Sequence, residues 1–98
     1  MLFMIIGIDA DDSLVGRQVA RPAHLARLNA LHAEGRLMIA GPNPATESQE
    51  SPPRYTGSLI VAEFESLQAA KEWADADPYI EHGVYTEVMI KPFIKALP

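Results

Sequence analysis

Apolar residues fall along this chain in short dense runs and in longer, regularly spaced stripes. Residues 2–8, LFMIIGI, form a dense run closed by Asp9, Asp11 and Asp12. Density of this kind predicts a strand buried on both faces. Asp11, Asp12 or Ser13 can cap a following helix, whose first segment is expected over residues 13–19. Pro22 interrupts it, because proline removes a donor and disfavours helical geometry at Arg21. Pro22 can also open the next segment. From Ala23 onward, His24, Leu28, Leu31 and Gly35 follow one helical stripe with Leu25 beside it. Gly35 suits a left-handed C-terminal cap. RLMIAGP predicts a second strand over residues 36–41. Residues 43–56 are polar, proline-rich and aperiodic, and read as a long loop of functional or mobile character. GSLIVAEFE predicts a third strand. Ser66 is the expected N-cap of LQAAKEWADAD, where Leu67, Ala70, Trp73 and Ala74 share a face. Residues 77–83 form a tight connection. VYTEVMIKPF is the last strand, with Thr86, Val88 and Ile90 facing one way and Tyr85, Glu87, Met89 and Lys91 the other.

The order β-α-β-β-α-β predicts an α+β, ferredoxin-like fold: a four-stranded antiparallel sheet with both helices on one side. One sheet face is then left uncovered, although strands 1 and 3 are apolar on both faces. A second copy of the sheet is the economical cover, so a homodimer through the sheet face is expected.

Totals narrow the picture further. The 98 residues make one expected domain. Thirteen acidic against eight basic side chains give a net charge of −5, which argues against nucleic acid and anionic membrane as partners. No run approaches the length of a membrane span, and the N-terminus lacks a basic flank and a cleavage site. A cytoplasmic location is expected. With no cysteine, disulfides, thiolate metal sites and cysteine nucleophiles are excluded.

His24 is the first candidate for chemistry, since a histidine facing a core needs a partner for each ring nitrogen. Asp77 is the best partner, because in this fold the loop after the second helix approaches the first. A carboxylate beside imidazole fixes its tautomer and makes it a better base. The plainer reading keeps His24 as a satisfied core residue and Asp77 as a cap on the Pro78 turn. His32 belongs near the helix end, where a cation favours the dipole, and His82 in an exposed loop. No two histidines have a spacing that places them on one face for a metal. Arg17 and Arg21, one helical turn apart, could hold an anion together, with Arg54 joining from the loop; the alternative is ordinary solvated charge. Ser58, at the mouth of strand 3, could contact a ligand. Trp73 and Tyr85 read as core, and Asp9 to Asp12 as loop and cap.

The stretches RPAHLARL, GRLMIAGP, GSLIVAEFESLQAAKEWADADPY and GVYTEVMIKPF, covering nearly the whole chain in order, resemble the YciI-like family. That resemblance implies a ferredoxin-like fold pairing into a dimeric α/β barrel. It also implies a site in a cleft of the barrel, made by a histidine on the first helix and an aspartate before a proline. These fall on His24 and Asp77. Some relatives dehydrochlorinate aromatic breakdown products; others are domains attached to regulators. His82 lies where relatives often carry a small residue.

The expected function is a cofactor-independent enzyme acting on a small molecule by general acid–base chemistry, of lyase, isomerase or dehydrochlorinase type. His24 and Asp77 would be catalytic, and Arg21 and Ser58 would bind substrate, with no metal. The alternative is a non-catalytic module that binds a small ligand or takes part in regulatory interactions.

Overall fold

A computed structural model describes residues 1–98. The elements run β1 (Leu2–Asp9), α1 (Leu14–Ala33), β2 (Leu37–Pro44), β3 (Tyr55–Glu63), α2 (Leu67–Asp75), α3 (Pro78–Glu81) and β4 (Tyr85–Phe93). The sheet order is β2-β3-β1-β4, and every neighbouring pair is antiparallel. This is the ferredoxin-like arrangement that the alternation of patterns predicts.

Register sorts the side chains between the two faces. Ile5 pairs with both Ile60 and Ile90, and Phe3 with Ala62, on the helix-covered face. Phe3, Ile5, Ile60, Ala62 and Phe64 are buried there against Leu28 and Leu31 of α1 and Ala70 and Ala74 of α2. The two alanines let α2 lie close to the sheet. The opposite face carries Met4, Ile6 and Ile8 of β1 with Leu59 and Val61 of β3, Ile39 of β2 and Met89 of β4. No helix covers it, and Ile8, Ile39 and Met89 are exposed.

Four expectations need correction. Pro22 does not divide the first helix; α1 is continuous through it. The missing N–H leaves only the carbonyl of exposed Gln18 without its helical donor, and solvent can serve that group. On either side of Pro22 the helix is tied down, by Arg17 before it and His24 after it. The second correction concerns the loop. Strand pairing continues to Pro44 and resumes at Tyr55, and a bond from the Ala45 N–H to the Arg54 carbonyl (2.9 Å) narrows the hairpin. Prolines 42 and 44 are tolerated because β2 is an edge strand, where one side of the backbone has no partner.

Third, Tyr85 does not share a face with Glu87 and Met89. An irregularity between Ile8 and Asp9 shifts the β1–β4 register, so Asp9 faces Tyr85 while Ile8 faces Glu87. The extra residue turns the Tyr85 ring under the helices, where it packs with Ala20, Tyr79 and Val84. Gly7 makes room for it: a Cβ there would lie 2.5 Å from the ring. Fourth, the 77–83 connection contains the short helix α3. Gly83, at φ +68°, ends it with bonds from Val84 N–H to the Tyr79 carbonyl (2.8 Å) and from Gly83 N–H to the Ile80 carbonyl (3.0 Å), a Schellman closure. Gly35 (φ +73°) closes α1 in the same way. Ser66 caps α2 by accepting from the Ala69 N–H. No helix is long and apolar enough to cross a membrane.

Candidate active site

The buried stripe of α1 reads Arg17, Ala20, His24, Leu28, Leu31. Its C-terminal half enters the main core, while its N-terminal half brings two polar side chains over the sheet. Beneath them, between α1, β2, β3 and Tyr79 of α3, lies a cleft of about 350 Å³, within the size range of small-molecule sites. Arg17, Arg21, His24, Tyr55, Ser58 and Tyr79 all line it.

His24 is only 6 % exposed and Asp77 only 4 %. His24 Nδ1 lies 2.9 Å from Asp77 Oδ1 and 3.0 Å from Oδ2. An ionised carboxylate can only accept, so Nδ1 carries the donated proton. Nε2 is left with no hydrogen bond in the chain, and it is not among the fully enclosed, unpartnered atoms. The His24 side chain lines the cleft. Asp77 also accepts from the Tyr79 N–H at 2.9 Å and is the N-cap of α3, with Pro78 in the first turn. The capping role and the histidine contact, separate readings from sequence, coexist on one carboxylate. The His24 ring lies on the Tyr79 ring, centroids 3.9 Å apart.

Arg17 is the residue that sequence reasoning underrated. It is 6 % exposed, and the side chain of Asp9 is wholly enclosed. Arg17 Nε donates to Asp9 Oδ2 (2.7 Å), and Nη2 donates to Asp9 Oδ1, the Gly57 carbonyl and Ser58 Oγ, each at 2.9 Å. Ser13 Oγ donates to the same Asp9 at 2.6 Å. Asp9 is therefore no loop residue but the anchor of a buried ion pair. Burial alone would lower the Arg17 pKa; hydrogen bonding and charge from Asp9 outweigh it and raise the value. The guanidinium also stands over the rings of Tyr55 and Tyr79, at 4.9 and 5.0 Å from their centroids. The available signal was helical phase: Arg17 precedes His24 by seven residues, two turns of one continuous helix.

The other candidates are placed as follows. Ser58 is buried in the floor of the cleft and receives Arg17. Arg21 lines the cleft from an exposed position on α1. Arg54 does not join the other arginines; it pairs with Glu50 in its own loop (3.0 Å). Of residues 45–54, only Pro53 lines the cleft. His32 and His82 are exposed, and no three His, Asp or Glu side chains converge as a metal site. Beneath the cleft, burial pushes the Tyr79 hydroxyl above its usual pKa, partly offset by Arg17 and Arg21. Burial also pushes up Tyr85, partly offset by Ser58 beside its enclosed hydroxyl.

Fold and site together define a ferredoxin-like α+β protein with a histidine–aspartate pair in a helix–sheet cleft. The YCII-related domain matches residues 1–94, and the chain belongs to that family. It is 56 % identical over 96 residues to Protein YciI of Escherichia coli O6:H1 (strain CFT073), covering 97 % of this chain and 98 % of that one. It is 50 % identical over 96 residues, at the same coverage, to an uncharacterized protein of Haemophilus influenzae (strain Rd). Among solved structures it resembles 5-chloro-2-hydroxyhydroquinone dehydrochlorinase (TftG) from Burkholderia phenoliruptrix AC1100, in complex with 2,5-dihydroxybenzoquinone. That match has a TM-score of 0.82 and 27 % identity, covering 96 % of this chain and 94 % of that one.

Proposed function

We propose that this protein is a cofactor-independent enzyme that moves a proton on a small organic substrate, with His24 as the general acid–base and Asp77 as the group that orients it. The observation that carries the reading is the division of labour on one imidazole. Nδ1 is tied to a buried carboxylate, and Nε2 is unpartnered in a cleft. Such a ring accepts a proton at Nε2 and has the resulting charge stabilised at Nδ1. Elimination and isomerisation both need this step. The likeness to a dehydrochlorinase supports elimination as the first chemistry to test. In this reading Arg21 attracts the substrate at the mouth of the cleft and Ser58 contacts it at the floor.

The working unit is a homodimer in the cytoplasm, its sheets facing across Met4, Ile6, Leu59 and Met89. An apolar face of that breadth is rarely left to solvent. Ile6→Lys should convert the dimer to a monomer by light scattering; a wild-type protein that is already monomeric removes this part of the reading.

The test of the activity uses 5-chloro-2-hydroxyhydroquinone for chloride release, and 2,5-dihydroxybenzoquinone in deuterium oxide for exchange of its ring C–H. Wild type should accelerate at least one of these reactions, and His24→Asn should abolish the gain. Binding of either compound without proton transfer would instead favour a ligand-binding module. Failure of both reactions with no binding would withdraw these hydroxyquinones as substrates.

A further inference from the structure

Arg17 has more donors than the protein uses. Its Nε–H and both Nη2 hydrogens are directed to Asp9, Gly57 and Ser58. Nη1 takes no part in these bonds, and the guanidinium also lies close enough to the Tyr79 hydroxyl to lower its pKa. The arginine itself is nine-tenths buried and lines the cleft. An unused guanidinium edge, fixed at its other edge by a buried carboxylate, is costly to leave dry and well formed for an anionic oxygen.

We propose that Arg17 Nη1 holds the substrate oxygen on which negative charge develops while His24 Nε2 carries the proton, so that the cleft takes a small carbonyl or enol compound with an ionised or ionisable oxygen. This rests on the reading of His24 as the proton carrier and adds the partner that reading lacks. Both residues touch one ring: His24 is stacked on Tyr79, and the Arg17 guanidinium lies 5.0 Å from its centroid. Both also line the same cleft of about 350 Å³, which a single small molecule can fill. The step balances without any further reagent. Nε2 takes a proton from the carbon next to a carbonyl, and the C–H electron pair becomes the enolate C=C bond. The carbonyl π pair moves onto the oxygen at Nη1. Where a C=C adjoins that carbon, Nε2 reprotonates the dienolate at its far end as the oxygen pair re-forms the carbonyl, which is isomerisation. Otherwise the oxygen pair re-forms the carbonyl, the enolate C=C pair forms a new C=C to the next carbon, that carbon's leaving group departs with its bonding pair, and the imidazolium loses its proton to solvent, which is elimination. Asp9 keeps the site near neutral when empty, because its charge offsets Arg17. Preorganised donors aimed at a developing oxyanion are among the largest contributors to catalysis.

The inference is tested by arginine side-chain 15N NMR with sodium benzoate as the probe and benzyl alcohol as its uncharged counterpart. Benzoate should shift the Arg17 Nη1 signals saturably, and benzyl alcohol should not. Arg17→Lys should weaken benzoate binding about tenfold or more, as expected for loss of one charge-assisted bond. Lys71→Gln, on the exposed face of α2 and outside the cleft, should leave the Arg17 shift in place. A wild-type Arg17 silent to saturating benzoate overturns the inference, as does unchanged affinity in folded Arg17→Lys. If Arg17→Lys does not fold, the wild-type signals decide alone. His24→Asn should retain the benzoate shift, which separates the two readings. Proton transfer with a silent Arg17 removes only this inference, whereas a responsive Arg17 without proton transfer removes only the enzyme.

Discussion

The imidazole of His24 lies flat on the ring of Tyr79, with planes 8° from parallel and centroids 3.9 Å apart. Asp77 binds both partners, accepting from His24 Nδ1 and from the Tyr79 N–H. Stacking fixes the tilt of the imidazole, and the carboxylate fixes its rotation. Tyr79→Ala should therefore cost about 3–5 kcal/mol, as expected for loss of a buried aromatic ring, and should broaden the His24 ring signals. Tyr79→Phe keeps the ring face and should stay within about 1 kcal/mol of wild type. Urea denaturation gives both values. Equal losses would mean that the hydroxyl, not the ring, holds the site.

Asp77→Asn separates the two duties of that residue. Asparagine can still cap α3 through its carbonyl oxygen, but the charge-assisted bond to imidazole is lost. The expected cost is about 1–3 kcal/mol. By 15N NMR, wild-type His24 should show a single neutral tautomer protonated at Nδ1, and the variant a mixture. A single tautomer in both proteins would show that something other than Asp77 orients the ring.

The Asp9–Arg17 pair should behave as one unit. Removing either partner strands a buried charge, so Asp9→Ala and Arg17→Met should each cost about 3–5 kcal/mol. Asp9→Ala/Arg17→Met should cost clearly less than the two added together, because neither charge is then left alone. Equilibrium urea curves for the four proteins close the cycle, and simple additivity would mean that the two side chains do not depend on each other.

Much of this architecture is written in periodicity. The stripe through His24, Leu28 and Leu31 fixes which face of α1 meets the sheet, and the alternation of element types leaves few topologies beside the one observed. Proximity of His24 to Asp77 follows from that phase and from where α2 ends. Arg17 is less legible, because charge near the start of a helix is ordinarily solvated and dividing the helix at Pro22 breaks the phase that joins it to His24. Its partner Asp9 lies across the β1–α1 turn, and nothing in the local pattern separates it from Asp11 and Asp12. Tyr85 is illegible for a different reason. A single register slip reverses the face on which a strand residue lies, and the irregularity opposite Ile8 and Asp9 leaves no mark on the apolar pattern.

That same Tyr85 should govern the behaviour of the fold in alkali. Its hydroxyl is enclosed, and burial, only partly offset by Ser58, holds its pKa well above the usual 10.0. Tyr79 is shifted in the same direction. The folded protein therefore keeps phenolic protons that the unfolded chain releases. For a group raised on folding, the contribution to stability is complete below the unfolded pKa and is lost as pH rises beyond it. Stability should accordingly be level up to about pH 9 and fall above about pH 10. Tyr85→Phe removes the ionisation and only the contact with Ser58, so it should fold at neutral pH within about 1 kcal/mol of wild type and show a shallower alkaline decline. Urea midpoints at about pH 8 and about pH 10.5 for the two proteins measure the difference. An identical decline in both would shift the cause from Tyr85 to Tyr79, and Tyr79→Phe would then carry the shallower slope.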